Sequence, residues 1–316
     1  STRRKVIAFL PLLWAKTDFE VVIVYVGHDS DFYEELVRLK QSFPQIVTTK
    51  IHLDPRFPIS RKMALNVGIK SAHHECMVFT STDAVPQTDR WLALMAKGFT
   101  RGEIVVGYCG VERGKGFANY MMRAWRMMHG VDWIARAVRR NPYRGTLHNI
   151  GFTKNIYFGS KGFSHLNMNI GEDDLYMQKV MTHDNVSVIL SPRATLREKT
   201  WGGMRWWMGQ LRYYGSAFPF YPQQVKNYIQ WELGSRALFF ITAACALAVM
   251  PFEYKIAALV LVLVRYLLVA IQVRRIARRL GEASMAGCYF VYDLLSPLWA
   301  FLLGVMLLRR DDRVWR

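Results

Sequence analysis

Over residues 19–110 the apolar positions alternate between two periods. FEVVIVYVG (19–27) is a β-branched run that stops at a glycine and predicts a buried strand. DFYEELVRLKQSF (31–43) has helical spacing, and QIVTTKIHL (45–53) is again strand-like. SRKMALNVGIKSAH (60–73) repeats its apolar residues three and four apart and predicts a helix. ECMVFTS (75–81) predicts a third strand, RWLALMAKGF (90–99) a helix, and EIVVGYCG (103–110) another strand. Strand and helix alternate, so the expected fold class is α/β with a largely parallel sheet.

After about residue 235 the pattern changes to three apolar runs, at 237–252, 256–273 and 286–308. A bilayer core needs roughly 20 apolar residues as helix. The third run meets that length, the second nearly does, and the first is short unless Gly234 to Arg236 join it. The expected organisation is a first unit over 1–235 and a membrane region of two to three spanning or interfacial helices over 236–316. Among the runs, Arg265 and Asp293 are the charges, which is too few for a polar transport pathway and enough for one ion pair.

Charge reinforces the membrane reading. The net charge is +18, and basic clusters RRIARR (274–279) and RRDDRVWR (309–316) flank the apolar runs. That placement suits anionic headgroups and the positive-inside rule rather than a nucleic acid. Three spans place the first cluster inside and the second outside, unless the first run is interfacial or a further span precedes the chain. Cys76, Cys109, Cys245 and Cys288 are scattered, with neither a disulfide framework nor a zinc spacing, which favours a reducing, cytoplasm-facing compartment. STRRKV leads directly into an amphipathic segment, with no signal-peptide pattern.

Three stretches carry candidate chemistry. In FTSTDAVP (79–86) a single carboxylate, Asp83, follows the third strand. Ligands of such sheets bind outside the carboxyl ends of strands, and Asp also caps turns for local reasons. In NIGEDDLYMQKVM (169–181), Glu172, Asp173 and Asp174 open a helix-spaced segment. Helix capping explains acids there, yet three adjacent carboxylates repel, and one with a raised pKa suits a general base. In TWGGMRWWMGQLRYYGSAFPFY (200–221), Trp201, Arg205, Trp206, Trp207, Arg212, Tyr213 and Tyr214 are positioned to stack on sugars, bind phosphate or form an interfacial belt.

In their order and spacing these stretches resemble glycosyltransferase family 2, the membrane-attached inverting enzymes of GT-A fold, and in particular the bacterial branch that builds cell-surface polysaccharide or glycolipid. The likeness runs over roughly 8–235, through FLPLLWAKTDFEVVIVYVGHDSD, SRKMALNVGIKSAHHECMVFTSTDAVPQTDRWLALM and GTLHNIGFTKNIYFGSKGFSHLNMNIGEDDL. The resemblance implies a nucleotide-sugar donor, a lipid-linked or glycan acceptor, and a divalent Mg or Mn ion on the donor diphosphate. It also implies a bacterial inner-membrane location with the catalytic part in the cytoplasm. Asp83 matches the last Asp of the D-x-D motif and would hold the metal. Arg61 stands where the family has a Lys near the donor, and Asn66 matches the Asn after it. Asp173 matches the base of the E-D pair, with Glu172 before it and Asp174 as the next candidate. Arg212 and Tyr213 match the Arg-aromatic end of Q-x-x-R-W, with Arg212 toward the donor and Trp206, Trp207 and Tyr213 toward the acceptor.

The chain departs from the family pattern at four places. Tyr25 and Val26 replace the acidic base-contacting loop, Ser81 the first Asp of D-x-D, and Gly209 the Gln of Q-x-x-R-W. The family's first, nucleotide-binding strand is expected either to be missing or to lie outside this chain. A second reading therefore stays open, a catalytically decayed membrane scaffold, against which the intact GEDDL speaks.

Overall fold

The structure, a computed structural model, describes residues 18–27, 29–52, 60–165, 171–200 and 203–308. The basic tail 309–316, Trp201 and the resembling segment before Asp18 lie outside the described residues.

The elements in chain order are β1 (Val21–Val26), α1 (Ser30–Ser42), β2 (Ile46–Ile51), α2 (Arg61–Ser71), β3 (Cys76–Phe79), β4 (Ala84–Pro86), α3 (Trp91–Gly98), β5 (Ile104–Val106) and β6 (Cys109–Val111). There follow α4 (Phe117–Val138), β7 (Ile150–Thr153), α5 (Lys154–Gly159), α6 (Leu175–Val180), β8 (Val186–Val188), β9 (Leu196–Glu198) and α7 (Gly203–Ala217). Three long helices end the described chain: α8 (Gln223–Val249), α9 (Phe252–Arg279) and α10 (Tyr289–Leu308). Local chemistry explains the first starts. Asp29 caps α1 by accepting from Phe32 N at 3.1 Å, and Ser60 caps α2 by accepting from Met63 N at 3.3 Å.

The strands form three sets, β1-β2, β3-β7-β5-β8 and β4-β9-β6. The α/β expectation holds, but the sheets are mixed rather than largely parallel. β1-β2, β5-β8 and β6-β9 pair parallel, while β7 runs antiparallel to both its neighbours and β4 antiparallel to β9. The expected strand 103–110 divides at Gly107, where the chain passes from one sheet to another. Asn149 fixes that crossing: its amide donates to Tyr108 O at 2.9 Å and Ala194 O at 3.0 Å, and accepts from Trp91 Nε1 at 2.9 Å. A side chain at 107 would strike that amide, since a Cβ there falls 2.6 Å from Asn149 Nδ2.

Among the described residues, three helices are long and apolar enough to cross a membrane: Gln223–Val249, Phe252–Arg279 and the segment Ala283–Leu302. The first is a full 27 residues because it starts at Gln223, well before its apolar run. Leu238, Leu261 and Phe301 point outward, each more than half exposed. Inside the group, Arg265 Nη1 meets Asp293 Oδ2 at 2.6 Å, so the two charges of the apolar runs do pair. Arg236 joins them, with Nε 3.6 Å from Asp293 Oδ1 and Nη1 donating to Ser296 Oγ at 3.0 Å. Helix α4 lies against the turn between α9 and α10, where Ala124, Met127 and Met128 pack on Val273, Ala277, Met285 and Cys288.

Candidate active site

The acidic triplet sits between a glycine turn and α6. Gly171 adopts φ 102°, a left-handed conformation where any Cβ would meet Leu175. The turn divides the labour of the three acids. Asp174 is the helix cap: Oδ1 accepts from Leu175 N at 2.6 Å and Oδ2 from Tyr221 OH at 2.7 Å. Capping thus accounts for Asp174 alone. Glu172 and Asp173 lie ahead of the helix, 0% and 1% exposed, and among the described residues none of their four carboxylate oxygens finds a hydrogen-bond donor. Desolvated carboxylates left without donors are costly, which marks this as a place held for something other than packing.

Cations stand around the pair. Arg61, at the start of α2, places Nε 3.5 Å from Glu172 Oε1. Arg144, from the loop before β7, lies over the Tyr214 ring at 4.0 Å and faces Asp173 and Asp174. The same loop touches the triplet through its backbone, with Gly145 N donating to Asp173 O at 3.2 Å. Burial, then the charges of Asp174 and Glu172, raise the Asp173 carboxyl to about 7, while Arg144 and Arg61 restrain it from rising further. Tyr213 has its hydroxyl buried without a hydrogen-bond partner among the described residues, and burial with Asp173 and Glu172 nearby pushes its pKa upward. The site therefore gathers Arg61, Glu172, Asp173, Asp174 and Tyr213, as the sequence suggested, and adds Arg144, Tyr214 and Tyr221. Asn66, one turn along α2 from Arg61, accepts from Tyr157 OH at 3.2 Å. Tyr157 in turn packs on Tyr176 of α6.

Asp83 occupies a separate turn. Ala84 N donates to Ser81 O at 3.1 Å to close it, and Lys199 N donates to Asp83 O at 2.8 Å, which ties the turn to the end of β9. Two ring contacts connect this region to α6, Phe79 on Phe152 at 4.4 Å and Phe152 on Tyr176 at 5.9 Å. Beside Asp83, the hydroxyls of Thr80 and Ser81 are buried without hydrogen-bond partners among the described residues. Among the described residues no three His, Cys, Asp or Glu side chains converge as a metal cage. The oxygen donors of this turn suit a hard cation that takes most of its coordination from a diphosphate and water.

No protein family and no curated protein matches the sequence. Among solved structures, the chain is similar to a mannosyltransferase from Pyrobaculum calidifontis in complex with GDP-Man and Mn2+, at 15% identity and a TM-score of 0.54. The likeness covers 93% of this chain and 83% of that one. The fold is glycosyltransferase-like.

Within this glycosyltransferase-like fold the aromatic stretch of α7 splits in two. Its C-terminal end, Tyr213 and Tyr214, faces the carboxylates. Its N-terminal end packs: Trp207 is buried with Val111, Met122 and Leu211, Trp206 lies against the same cluster, and the Trp207 ring meets Trp299 of α10 edge-on at 5.5 Å. Of the candidate acceptor residues, Trp207 thus meets an apolar helix and Trp206 packs on the Val111, Met122 and Leu211 cluster, apart from the contacts that join Tyr213 to the acids. Arg212 is half-buried on α7 beside Tyr213.

A second buried ionic group, which the sequence did not suggest, braces the glycosyltransferase-like fold behind the site. Glu198 Oε2 lies 2.8 Å from Arg126 Nη2 and its Oε1 lies 3.3 Å from His148 Nε2. Burial alone would push Glu198 up, but Arg126 and His148 outweigh it and hold the carboxyl at about 2. Because this value lies below the unfolded one of about 4.3, the group adds stability above about pH 4 that is lost as pH falls toward 2. Glu198→Gln is expected to lower stability at neutral pH by about 3 kcal/mol, leaving Arg126 buried and unpaired. The gap to wild type should close on acidification below about pH 4, as followed by thermal melts across pH.

Proposed function

We propose that this chain is an inverting glycosyltransferase of GT-A type, akin to family 2, that moves a sugar from a nucleotide-sugar donor to a lipid-linked or glycan acceptor at a membrane. One observation carries the reading: the buried Glu172–Asp173 pair, with all four oxygens unbonded, faced by Arg61 and Arg144. The glycosyltransferase-like fold and the three long apolar helices agree with it. The neighbour's GDP-Man makes that donor the first to test. In this reading residues 1–235 form the catalytic unit and 236–316 the membrane region, in a bacterial inner membrane with the site toward the cytoplasm.

Inversion needs the acceptor hydroxyl in line with the bond to the leaving diphosphate, and a base for its proton. The acceptor oxygen attacks the anomeric carbon, the bond to the diphosphate breaks with its electron pair, and the proton passes to an Asp173 carboxylate oxygen. A carboxyl near pH 7 is poised for that transfer, since the ideal base has a pKa close to the working pH. Glu172 keeps Arg61 in place against the donor's negative charge. Tyr213 offers an unbonded hydroxyl to the sugars. A divalent metal held by Asp83, with Ser81 beside it, would neutralise the leaving diphosphate.

Calorimetric titration of wild type, Asp83→Ala and Ser81→Asp with a nucleotide-sugar, with and without Mn2+, tests the donor side. Wild type should bind the donor in a metal-dependent way, Asp83→Ala should lose that dependence, and Ser81→Asp should tighten metal-linked binding by adding a second carboxylate. If Asp83 only caps its turn, Asp83→Ala costs about 1 kcal/mol of stability and leaves every titration unchanged, which returns the scaffold reading.

A further inference from the structure

Helix α4 carries one apolar face that outruns its own packing. Phe117, Tyr120, Ala124, Met127 and Val131 follow at steps of three and four residues and so share a face. From Ala124 onward that face is covered by the turn between α9 and α10. Arg123 pins the crossing, with Nη2 2.8 Å from Glu282 Oε2 and 3.5 Å from Ser284 Oγ. One to two turns earlier the same face is bare, with Phe117 72% and Tyr120 41% exposed. Phe117 precedes Arg123 by six residues, about 9 Å along the axis at 1.5 Å per residue.

Charge marks the level of this crossing. Arg274, Arg275, Arg278 and Arg279 are exposed at the end of α9, flanking the Val273 and Ala277 that α4 packs on. Headgroup-level basic residues of this kind border a hydrocarbon core. Just ahead of Phe117, Arg113 and Lys115 are exposed and outnumber the neighbouring Glu112. The loop is fixed in place: Asn119 accepts from Gly114 N at 2.8 Å and donates to Glu112 O at 3.0 Å.

We propose that Phe117 and Tyr120, with Arg113 and Lys115 beside them, form a membrane-inserting edge whose occupant is the headgroup and upper acyl layer of an anionic phospholipid leaflet. The face of α4 that rests on the membrane helices continues past their edge, and what adjoins those helices there is lipid. An aromatic pair with adjacent cations is the pairing that interfacial insertion uses. The edge would fix the orientation of α4, and with it the site, relative to the bilayer. This inference rests on α8, α9 and α10 crossing a membrane.

The test uses the full chain with Cys76→Ser and Cys245→Ser, reconstituted in phosphatidylcholine vesicles with or without phosphatidylglycerol. An environment-sensitive fluorophore is attached at Phe117→Cys, at Leu261→Cys on the outward face of α9, or at Lys70→Cys on the exposed side of α2. With phosphatidylglycerol, the 117 label should be blue-shifted and quenched by a nitroxide near the top of the acyl chain, and the Lys70 label should not. Arg113→Ser with Lys115→Ser should reduce that quenching severalfold. A quenched 261 label with a 117 label open to aqueous quencher overturns the edge while the spans stand. A 117 label shielded from both water and lipid quenchers also overturns it, assigning the face to a protein contact. An unquenched 261 label removes the spans and the edge together.

Discussion

Asp173→Asn is expected to cut sugar transfer by roughly 10²–10⁴-fold, the usual loss when a general base is removed, while donor binding persists. The same substitution should stabilise the protein at alkaline pH. Burial and its acidic neighbours raise the folded carboxyl to about 7, above the unfolded value of about 3.9. Between those values the folded state holds a proton that the unfolded state releases, so wild-type stability falls as pH rises through that window. Asparagine carries no such penalty. The variant should match wild type near about pH 4 and exceed it at about pH 8, by on the order of 4 kcal/mol. Paired thermal melts and transfer assays across pH read both effects. A variant that keeps more than about a tenth of the transfer activity would count against Asp173 as the base, and Asp174 would then be the base to test, while one that melts like wild type at every pH would mean that the Asp173 carboxyl is not raised by its surroundings.

Asp293→Ala should be the most damaging change among the apolar helices. Asp293 is fully buried and faces Arg265 at 2.6 Å and Arg236 at 3.6 Å, from two other helices. Removing it leaves Arg265 with no carboxylate in contact among the described residues, and Arg236 with Glu232 alone. Breaking one side of a buried ion pair costs about 3–5 kcal/mol, and an apolar solvent does not lessen that. The melting temperature in detergent should drop sharply. Replacing both partners, Arg265→Leu with Asp293→Leu, should recover most of the loss, because it removes the stranded Arg265 charge and leaves Arg236 paired with Glu232. If the double variant is as unstable as Asp293→Ala, Asp293 acts on something other than Arg265.

The sequence foretold the parts whose causes are local. The strands and helices between Val21 and Gly98, apart from the short β4, follow from β-branched runs, helical spacing and caps such as Asp29 and Ser60. Strand direction is not coded locally, and so the antiparallel placement of β7 between β3 and β5 was invisible. Helix α4 buries Arg126 and Arg136 among its Met and Trp residues, and nothing local signals that burial until distant partners appear. Arg126 is buried because Glu198 lies seventy-two residues later, and Arg136 because the Tyr228 ring stacks on it at 3.6 Å. Likewise the first apolar run looked short because its polar half, from Gln223 to Gly234, includes Tyr228, which donates to Asp132 at 3.2 Å.

The candidate site follows the same rule. GEDDL drew attention to the acidic turn, but three adjacent acids give no hint of which one caps the helix. The turn at Gly171 decides that, handing the cap to Asp174 and leaving Glu172 and Asp173 unbonded. Arg144 was missed because nothing near it in sequence signals that its loop meets both α6 and α7. The α7 aromatics read as one stretch, yet helical geometry sends Trp207 toward Trp299 and Tyr213 toward the acids.

If Glu172 and Asp173 serve sugar transfer with inversion, the anomeric configuration of a product records it. Purified chain in lipid vesicles would be given GDP-Man and other α-linked nucleotide-sugars, Mn2+ and lipid-phosphate or glycan acceptors, and the product's anomeric proton read by NMR. The prediction is a β-linked product from an α-linked donor, formed by wild type and not by Asp173→Asn. An α-linked product, or equal transfer by the two proteins, would contradict it.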